Sequence, residues 1–252
     1  MGSRQKSRDR GARGNRIVTQ RDELVLLTKI IFDIETTAFP LESFDEVQQQ
    51  YLMRFSETDA EKEEAVRKLN LSALTAQVIA VGMLNPETNA GKVFYQSDAR
   101  ESWRSDDAGI EYVAETEVEI LKGFWETIQR YDQFITFNGR TFDCPFLILR
   151  SALLGIRPTR NLMPYRYSSK EHCDLLDQLT FYGAARKYNL DFFCKAFAIP
   201  TPKDKGFTGL DLAAMFSSRR YREIAKYCMG DVRATAALYR KWDEFMNFDK
   251  AT

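Results

Sequence analysis

The chain has 252 residues, of which 44% are hydrophobic and 29% are charged, and its formal net charge is zero. This composition is ordinary for a soluble globular protein and fits one large domain. We expect no membrane partner, because no apolar run approaches the roughly 18 residues needed to cross a bilayer. We also expect no signal peptide at the start of the chain.

The cysteines and the histidine limit the kind of metal site. Cys144, Cys173, Cys194 and Cys228 are widely spaced and form no CxxC pair. This usage predicts reduced, structural thiols in a cytoplasmic protein, with neither a zinc site nor a disulfide framework. His172 is the single histidine. A metal would therefore be held mainly by oxygen, which favours Mg²⁺ or Mn²⁺.

Charge is spread unevenly along the chain. Residues 1–20 contain six basic residues and one acid, Asp9, so their net charge is +5 and the rest of the chain carries −5. The six are Arg4, Lys6, Arg8, Arg10, Arg13 and Arg16. We expect this arm to be disordered, with contact to nucleic acid as a second interpretation. Residues 21–252 are predicted to form a single domain with a helical insertion at about residues 38–75.

The first predicted strand carries two acids. Residues 24–34 are mostly large and apolar, which predicts a strand buried on both faces. Side chains alternate along a strand, so Asp33 and Glu35 leave the same face. No Lys or Arg lies between Lys29 and Arg54, so a counter-charge must come from far along the chain or from a bound cation. The pair is half of a candidate metal site, and a salt-bridged or strand-end pair explains this stretch equally well.

The following elements predict an α/β fold. Gln77–Leu84 and Lys92–Gln96 are further strands, joined tightly enough for an antiparallel meander. The helical period of Glu115–Tyr131 predicts a crossover to a fourth strand at Gln133–Phe137, parallel to the first. A short strand near His172–Leu176 completes a mixed five-stranded sheet flanked by helices. The rest of the chain is predicted to be almost wholly helical.

A third acid follows the fourth strand. Asn138-Gly139 makes a sharp turn, and Pro145 must lie in the first turn of the next helix because it has no N–H to donate. Asp143 then lies in that same turn, at the sheet edge where Asp33 is expected and where ligands collect in α/β proteins. An acid favoured by the helix dipole is the alternative, and for this stretch alone it is the stronger one.

A fourth acid lies in the last predicted helix. Tyr227 and Asp231 are four residues apart, so they lie on one helical face, one turn from each other. Gly230 between them is a poor helix former, which indicates that another group approaches the backbone closely. An ordinary amphipathic helix is the alternative and is by itself the commoner case.

Taken together, these acids form a recognisable pattern. Three motifs in chain order resemble those of the DEDDy 3′–5′ exonucleases of the ribonuclease H-like superfamily: Phe32-Asp33-Ile34-Glu35-Thr36, Asn138-Gly139-x-x-Phe142-Asp143 and Tyr227-x-x-x-Asp231. The spacing is most similar to proofreading domains related to family-B DNA polymerases, over roughly residues 28–245. Thr37-Ala38-Phe39-Pro40 departs from the pattern, because relatives often have a glycine-led turn there. The long insertion after it is the second departure.

The resemblance implies a ribonuclease H-like fold and roles for individual residues. As ligands of two divalent ions, Mg²⁺ or Mn²⁺, it implies Asp33, Glu35, Asp143 and Asp231, with Tyr227 as the fifth catalytic residue. As substrate-binding residues it implies Thr36, Phe39, Asn138 and Phe142. Phe39 and Phe142 are candidates to stack on the terminal base, whereas aromatic residues at such positions more often belong to the core.

The chemistry of these residues agrees with the resemblance. Phosphodiester hydrolysis needs an activated water and stabilised charge on the departing 3′-oxygen, and two divalent ions about 3.5–4 Å apart supply both. Four carboxylates carry a charge of −4 that two such ions balance, which answers the question of what neutralises Asp33 and Glu35. Tyr227 would orient the attacking water, since its ordinary pKa of about 10 makes it a poor base.

The leading hypothesis is a metal-dependent exonuclease that releases nucleoside 5′-monophosphates from the 3′ end of single-stranded DNA. DNA replication or repair proteins are the partners that the resemblance implies. An RNA exonuclease is an alternative, because nothing in the motifs reads the 2′-hydroxyl. A non-catalytic nucleic-acid-binding module of the same fold is another, which the intact set of five residues disfavours. Pathway and oligomeric state leave no signature in the sequence.

Overall fold

The computed structural model describes Gly2 and residues 28–106, 109–200 and 211–248. The predicted basic arm at residues 1–20, apart from Gly2, lies outside the described residues. Every helix within these ranges is too short or too polar to span a bilayer.

A seven-stranded sheet forms the centre of the described residues, with helices on both faces. The strands are β1 (Lys29–Ala38), β2 (Ala76–Leu84), β3 (Gly91–Gln96), β4 (Ser102–Arg104), β5 (Ile110–Glu115), β6 (Gln133–Thr136) and β7 (His172–Asp174). The α-helices are α1 (Glu46–Met53), α2 (Asp59–Lys68), α3 (Glu117–Ile128), α4 (Asp143–Leu153), α5 (Leu175–Leu179), α6 (Leu190–Ala196), α7 (Leu212–Ser217) and α8 (Tyr221–Phe245).

The order of the strands in the sheet is β4-β5-β3-β2-β1-β6-β7. β1, β2 and β3 pair antiparallel, so the predicted meander is confirmed. β6 pairs parallel with β1, as predicted, and β7 pairs parallel with β6. Strands β1, β6 and β7 therefore end at one edge of the sheet. The residues that follow them lie side by side at that edge.

The predicted number of five strands was wrong, because β4 and β5 were missed. β4 has three residues, and its Trp103 stacks on Tyr112 of β5 with the ring centroids 3.8 Å apart. β5 pairs parallel with β3, from which only residues 97–109 separate it, and its alternating burial is a strand period that the sequence reasoning missed. A run of three residues carries no period of its own, so β4 has no local signal in the sequence.

The alternation of side chains in β1 divides the core into two layers. Ile30, Phe32 and Ile34 are buried in a cluster that includes residues of α3 and α4, whereas Ile31 is buried in a cluster that includes much of α8. Burial of each such side chain contributes roughly 1.5–3 kcal/mol to folding. The register of β1 is therefore firmly set, because a slip of one residue would exchange the two faces.

The segment between β1 and β2 forms a helical hairpin. Helices α1 and α2 each begin with a capping box, made by Asp45 and Thr58. Neither helix buries a residue. A 3₁₀ turn at Leu69–Leu71 returns the chain to the sheet and buries Leu69. The hairpin therefore stands on the surface directly after the carboxyl end of β1.

Candidate metal centre

Two acids of the site come from β1. Asp33 pairs with Gly82 of β2 and Glu35 pairs with Ala80. The ligand atoms of Asp33, Glu35 and Cys228 of α8 all lie within 4.8 Å of one another, so both acids face α8. The register of β1 shifts directly after Glu35. Such irregularities are common beside active sites, because they re-aim the side chains next to them.

Asp143 reaches the same place from the neighbouring strand. It is the first residue of α4 and is buried. Its Oδ1 accepts a hydrogen bond of 3.1 Å from the N–H of Ile34, which ties the start of α4 to β1. The turn between β6 and α4 is fixed by Asp174 of β7, whose carboxylate accepts bonds from the N–H groups of Asn138 and Arg140 at 2.8 and 2.9 Å.

The remaining residues come from α8, the 25-residue helix that packs across β1, β2 and β3. The hydroxyl of Tyr227 donates a hydrogen bond to Asp231, one turn further along. Gly82 lets the helix approach the sheet closely. A Cβ added there would lie 2.9 Å from Val232 Cγ2 and 3.0 Å from Cys228 Sγ. Any larger residue would therefore displace the helix that carries Tyr227 and Asp231.

The four acids repel one another. Burial raises the pKa of Asp33 well above its usual range, and the charges of Asp143, Glu35 and Asp231 raise it further. Burial raises the pKa of Asp143 to about 7, although hydrogen bonds from its own N–H and from that of Ile34 act in the opposite direction. Without a cation, the cluster therefore holds protons near neutral pH.

Tyr227 stays protonated in this surrounding. Burial raises its pKa well above the usual value, and the charges of Asp231, Glu35 and Asp33 raise it further. A neutral phenol both donates and accepts hydrogen bonds. Tyr227 can therefore orient a water molecule beside the acids, but it is not equipped to remove a proton from it.

The donor set fits a divalent cation that prefers oxygen. Glu35 and Asp143 are only 7% and 3% exposed, so their charges are poorly hydrated. A cation bound between carboxylates would remove the repulsion that raises these pKa values. The residues that could hold it are Asp33, Glu35, Asp143 and Asp231. All four are carboxylates, which suits Mg²⁺ or Mn²⁺.

Cys228 is a neighbour of the acids that the sequence reasoning missed. Its only signal was its position next to Tyr227 in α8. Burial raises the pKa of its thiol well above the usual range, and the charges of Glu35, Asp33 and Asp231 raise it further. The Sγ atom lies 3.7 Å from the carbonyl oxygen of Asp33, to which it donates a weak hydrogen bond. Cys228 therefore packs against the acids as a thiol, whereas metal ligation requires a thiolate.

Two of the predicted substrate-binding residues follow the acids of β1. The hydroxyl of Thr36 is buried and donates to the side-chain oxygen of Asn70 at 2.7 Å, so it ties β1 to the insertion. Phe39 is half-buried and lies under the guanidinium of Arg150, 4.9 Å from the ring centroid. It lines a cavity of about 420 Å³ between the end of β1, the insertion and α7. Of the two side chains, Phe39 is the one that borders open space.

The other two predicted substrate-binding residues shape the turn before α4. Asn138 has a φ of 63°, a left-handed conformation that asparagine tolerates. Phe142 is half-buried and packs against Phe146, with ring centroids 5.6 Å apart, at the margin of the core. Both residues shape the turn that positions Asp143. The contacts of Phe142 fit the alternative interpretation, in which this ring belongs to the core and does not stack on a base.

Comparisons with known proteins show to which family the chain is related. Residues 93–248 match the model of a family described as predicted 3′–5′ exonucleases related to the exonuclease domain of PolB. A DNA polymerase of Pyrococcus glycovorans is 26% identical over 159 residues, which are 56% of this chain and 20% of the relative. DNA polymerase 1 of Saccharolobus solfataricus is 31% identical over 97 residues, which are 32% of this chain and 11% of the relative.

A solved structure has the same fold. The family B DNA polymerase of Pyrobaculum calidifontis superposes with a TM-score of 0.56 at 16% identity, covering 87% of this chain and 25% of the polymerase. The mixed sheet with flanking helices is thus a ribonuclease H-like arrangement, as the resemblance implied. The chain matches about a fifth of the length of the first of these relatives.

Proposed function

This chain belongs to the family of predicted 3′–5′ exonucleases related to the exonuclease domain of PolB, and from that premise we propose that it is a metal-dependent exonuclease of the DEDDy type. Its substrate is the 3′ end of single-stranded DNA, and its products are nucleoside 5′-monophosphates. Residues 21–252 form the exonuclease domain. Its partners are DNA and proteins of DNA replication or repair.

One observation carries the proposal. Acids from three separate elements converge at the carboxyl edge of β1 and β6, and each raises the pKa of Asp33 through its charge. Such an arrangement opposes folding unless a bound cation or protons neutralise the charges, because buried like charges repel one another. Acids that merely stabilised the helix start or the strand end would have no reason to meet. Their convergence supports a site built to hold divalent cations.

The residues of the site have separate tasks in the proposed reaction. Asp33, Glu35, Asp143 and Asp231 hold two divalent ions, Mg²⁺ or Mn²⁺, which when bound supply activation of a water and stabilisation of the departing 3′-oxygen. Tyr227, kept neutral by its surroundings, hydrogen-bonds and orients that water. Phe39 borders the cavity beside β1 and contacts the terminal base there.

A cleavage assay on a 5′-labelled single strand tests the proposal. With Mg²⁺ or Mn²⁺ the protein should produce a ladder of shortened strands, and EDTA should abolish it. Asp33→Asn should lower the rate at least about a hundredfold, since loss of one electrostatic group at a reacting centre costs that much or more. Tyr227→Phe should lower the rate about tenfold, because it removes the hydroxyl but keeps the ring.

The matched control is Glu63→Gln, which changes an exposed acid of α2 in the same way. It should cut at the wild-type rate, so that a contaminating nuclease and a general charge effect are both excluded. A ladder that survives Asp33→Asn, or the absence of any ladder with the wild type, contradicts the proposal. The same strand made of RNA distinguishes the DNA enzyme from an RNA exonuclease, because the latter would cut it faster.

A further inference from the structure

An exposed aromatic surface lies beside the metal centre, just beyond the carboxyl end of β7. Tyr165 and Tyr167 are 73% and 62% exposed, and their ring centroids are 5.8 Å apart. Tyr182 continues the surface, 5.0 Å from Tyr167, and Phe181 next to it is 58% exposed. These four residues are the aromatic platform. A contiguous set of exposed rings marks a binding surface, since such residues are otherwise mostly buried.

The backbone carries the exposed Phe181 and the half-buried Tyr182 in an uncommon conformation. Phe181, Tyr182 and Gly183 have φ values of 50°, 57° and 96°, three left-handed residues in succession. Aromatic residues rarely adopt this conformation, and strained segments concentrate at functional sites. A hydrogen bond of 2.7 Å from the N–H of Tyr182 to the carbonyl of Asp177 fixes the turn. The platform is therefore preformed.

Side-chain contacts connect the platform to the metal centre. Arg140, in the turn that leads into α4, donates a hydrogen bond of 2.8 Å to the carbonyl of Pro164 at the start of the platform. Arg166, between the two exposed tyrosines, donates to both carboxylate oxygens of Asp177 at 2.9 and 2.5 Å. Because β6 and β7 end at the same edge, the platform begins one strand away from the acid at the start of α4.

The charge around the platform identifies its occupant. Residues 155–170 and 178–190 contain six basic residues and no acid, but Arg160 lies at the amino edge of the sheet, bonded to carbonyls of Tyr131 and Asp132, and Arg166 is paired with Asp177. Of the six, Arg186 and Lys187 are exposed beside the turn that bears Tyr182. Rings for stacking together with cations for phosphates are what single-stranded nucleic acids require. Duplexes do not offer their base faces, so the surface fits a single strand.

We propose that the aromatic platform binds the part of the single strand that lies on the 5′ side of the cleaved nucleotide. Bases stack on Tyr165 and Tyr167, and phosphates lie against Arg186 and Lys187. The proposal rests on the exonuclease function proposed above, because the 3′ end held at the acids determines where the preceding nucleotides lie. A dinucleotide occupies the metal centre alone, whereas a longer strand also reaches the platform.

The test compares a dinucleotide with a single strand of about 20 thymidines, long enough to cover one binding surface of this kind. The double variant Tyr165→Ala, Tyr167→Ala should lower kcat/KM on the long strand about tenfold, as expected for the loss of base stacking. On the dinucleotide the variant should match the wild type within about twofold. Replacing both tyrosines with Phe should restore cleavage of the long strand, because the rings remain.

The matched control is Tyr51→Ala, Phe55→Ala, which removes two equally exposed rings from the insertion. This pair should leave both substrates unaffected. An unchanged rate of the platform variant on the long strand, or an equal loss on the dinucleotide, overturns the proposal.

A binding measurement tests the platform separately from the cleavage reaction. The anisotropy of a fluorescent thymidine strand is measured in EDTA, where no cleavage occurs. The platform variant should bind about tenfold more weakly than the wild type, and the control pair should not. A protein that binds in this way but cuts neither substrate refutes the exonuclease function alone. Equal binding by all three proteins refutes the platform, whether or not the protein cuts.

Discussion

Two exposed aromatic surfaces lie on either side of the candidate metal centre, and they differ in charge. On the insertion, Val47, Tyr51 and Phe55 recur every four residues and are 76%, 60% and 81% exposed. The segment that carries them, residues 38–75, contains eight acids and four basic residues. Beside the platform, residues 178–190 contain the two exposed basic residues Arg186 and Lys187 and no acid. The two surfaces therefore offer similar rings in opposite electrostatic surroundings.

Exposed rings alone therefore do not identify a partner. A nucleic acid strand carries one negative charge per nucleotide, so its approach to the insertion is opposed while its approach to the platform is favoured. The insertion is the acidic flank of this sheet edge and the platform is the basic flank. A nucleic acid strand bound along the edge therefore has a preferred direction. A strand whose 3′ end enters the metal centre is steered towards β7 and away from the end of β1.

Acid should destabilise the platform flank strongly, through the histidine of β7. His172 of β7 is buried, with Nε2 2.8 Å from Thr136 Oγ1 and its ring stacked on Phe134. Burial, with the charges of Arg140 and Arg160, lowers its pKa to about 3. The unfolded chain takes up this proton near pH 6.5, so stability is lost as the pH falls below 6.5. The loss should reach about 2 kcal/mol at pH 5.

Urea unfolding of the wild type and of His172→Gln at pH 7 and pH 5 measures this effect. Both proteins should be free of metal. The acids of the metal centre have raised pKa values, so their titration changes the stability in the opposite direction, by the same amount in both proteins. The free energy of unfolding of the wild type should fall relative to the variant by about 2 kcal/mol between the two pH values. A difference that does not change with pH contradicts the prediction. The insertion contains no histidine, so this acid effect distinguishes the two flanks.

A second pair of substitutions reverses the charge of the platform flank. Arg186→Glu with Lys187→Glu should weaken binding of a single strand about tenfold, and lower the slope of log K against log salt by about 1.4, the value for two lost phosphate contacts. Anisotropy in EDTA at several salt concentrations measures both quantities. Arg67→Glu with Lys68→Glu, at the end of α2, is the matched comparison: it makes the acidic insertion more acidic, and should weaken binding by less than about threefold with little change in slope. Equal effects of the two pairs would mean that the flanks are not different.

The smallest effect concerns the acidic flank. Glu63→Lys in α2 should strengthen binding of the same strand, but by less than about threefold, because an exposed charge acts through water and salt over a distance of about 10 Å. The change should vanish at high salt. A gain of tenfold or more would show that the strand runs over the insertion, and the direction assigned to the sheet edge would then be wrong.

Much of the fold was predictable, because it depends on local patterns. The alternation of β1, the helical period of α3 and the turn at Asn138 each act over a few residues, and they predicted the meander and the parallel crossover. Since parallel strands end at one edge, the meeting of Asp33 with Asp143 was also predictable. Strand β4 was not, because a three-residue strand is determined by tertiary contacts, whereas β5 carries an alternation that could have been recognised.

The surroundings of the site were less predictable for the same reason. Gly82 and Cys228 matter only because α8 lies against β2, a contact that no spacing along the chain encodes. The platform joins Tyr167 to Tyr182, which meet only after β7 has paired with β6. Its one sequence signal was the lack of acids in two tyrosine-bearing segments. That signal gained meaning once the strands placed both segments at the same edge.

The position of α8 has a consequence for the newly made protein. Asp33 is synthesised about 200 residues before Asp231. At 5–20 residues per second, roughly 10–40 s therefore pass between the synthesis of these two acids. The same helix supplies ten buried residues, including Trp242, to the apolar layer. The chain therefore closes its core and completes its acidic cluster in a single step. A partly made or nicked chain without α8 holds no complete site, so the proposed nuclease is harmless to nucleic acid until it has folded.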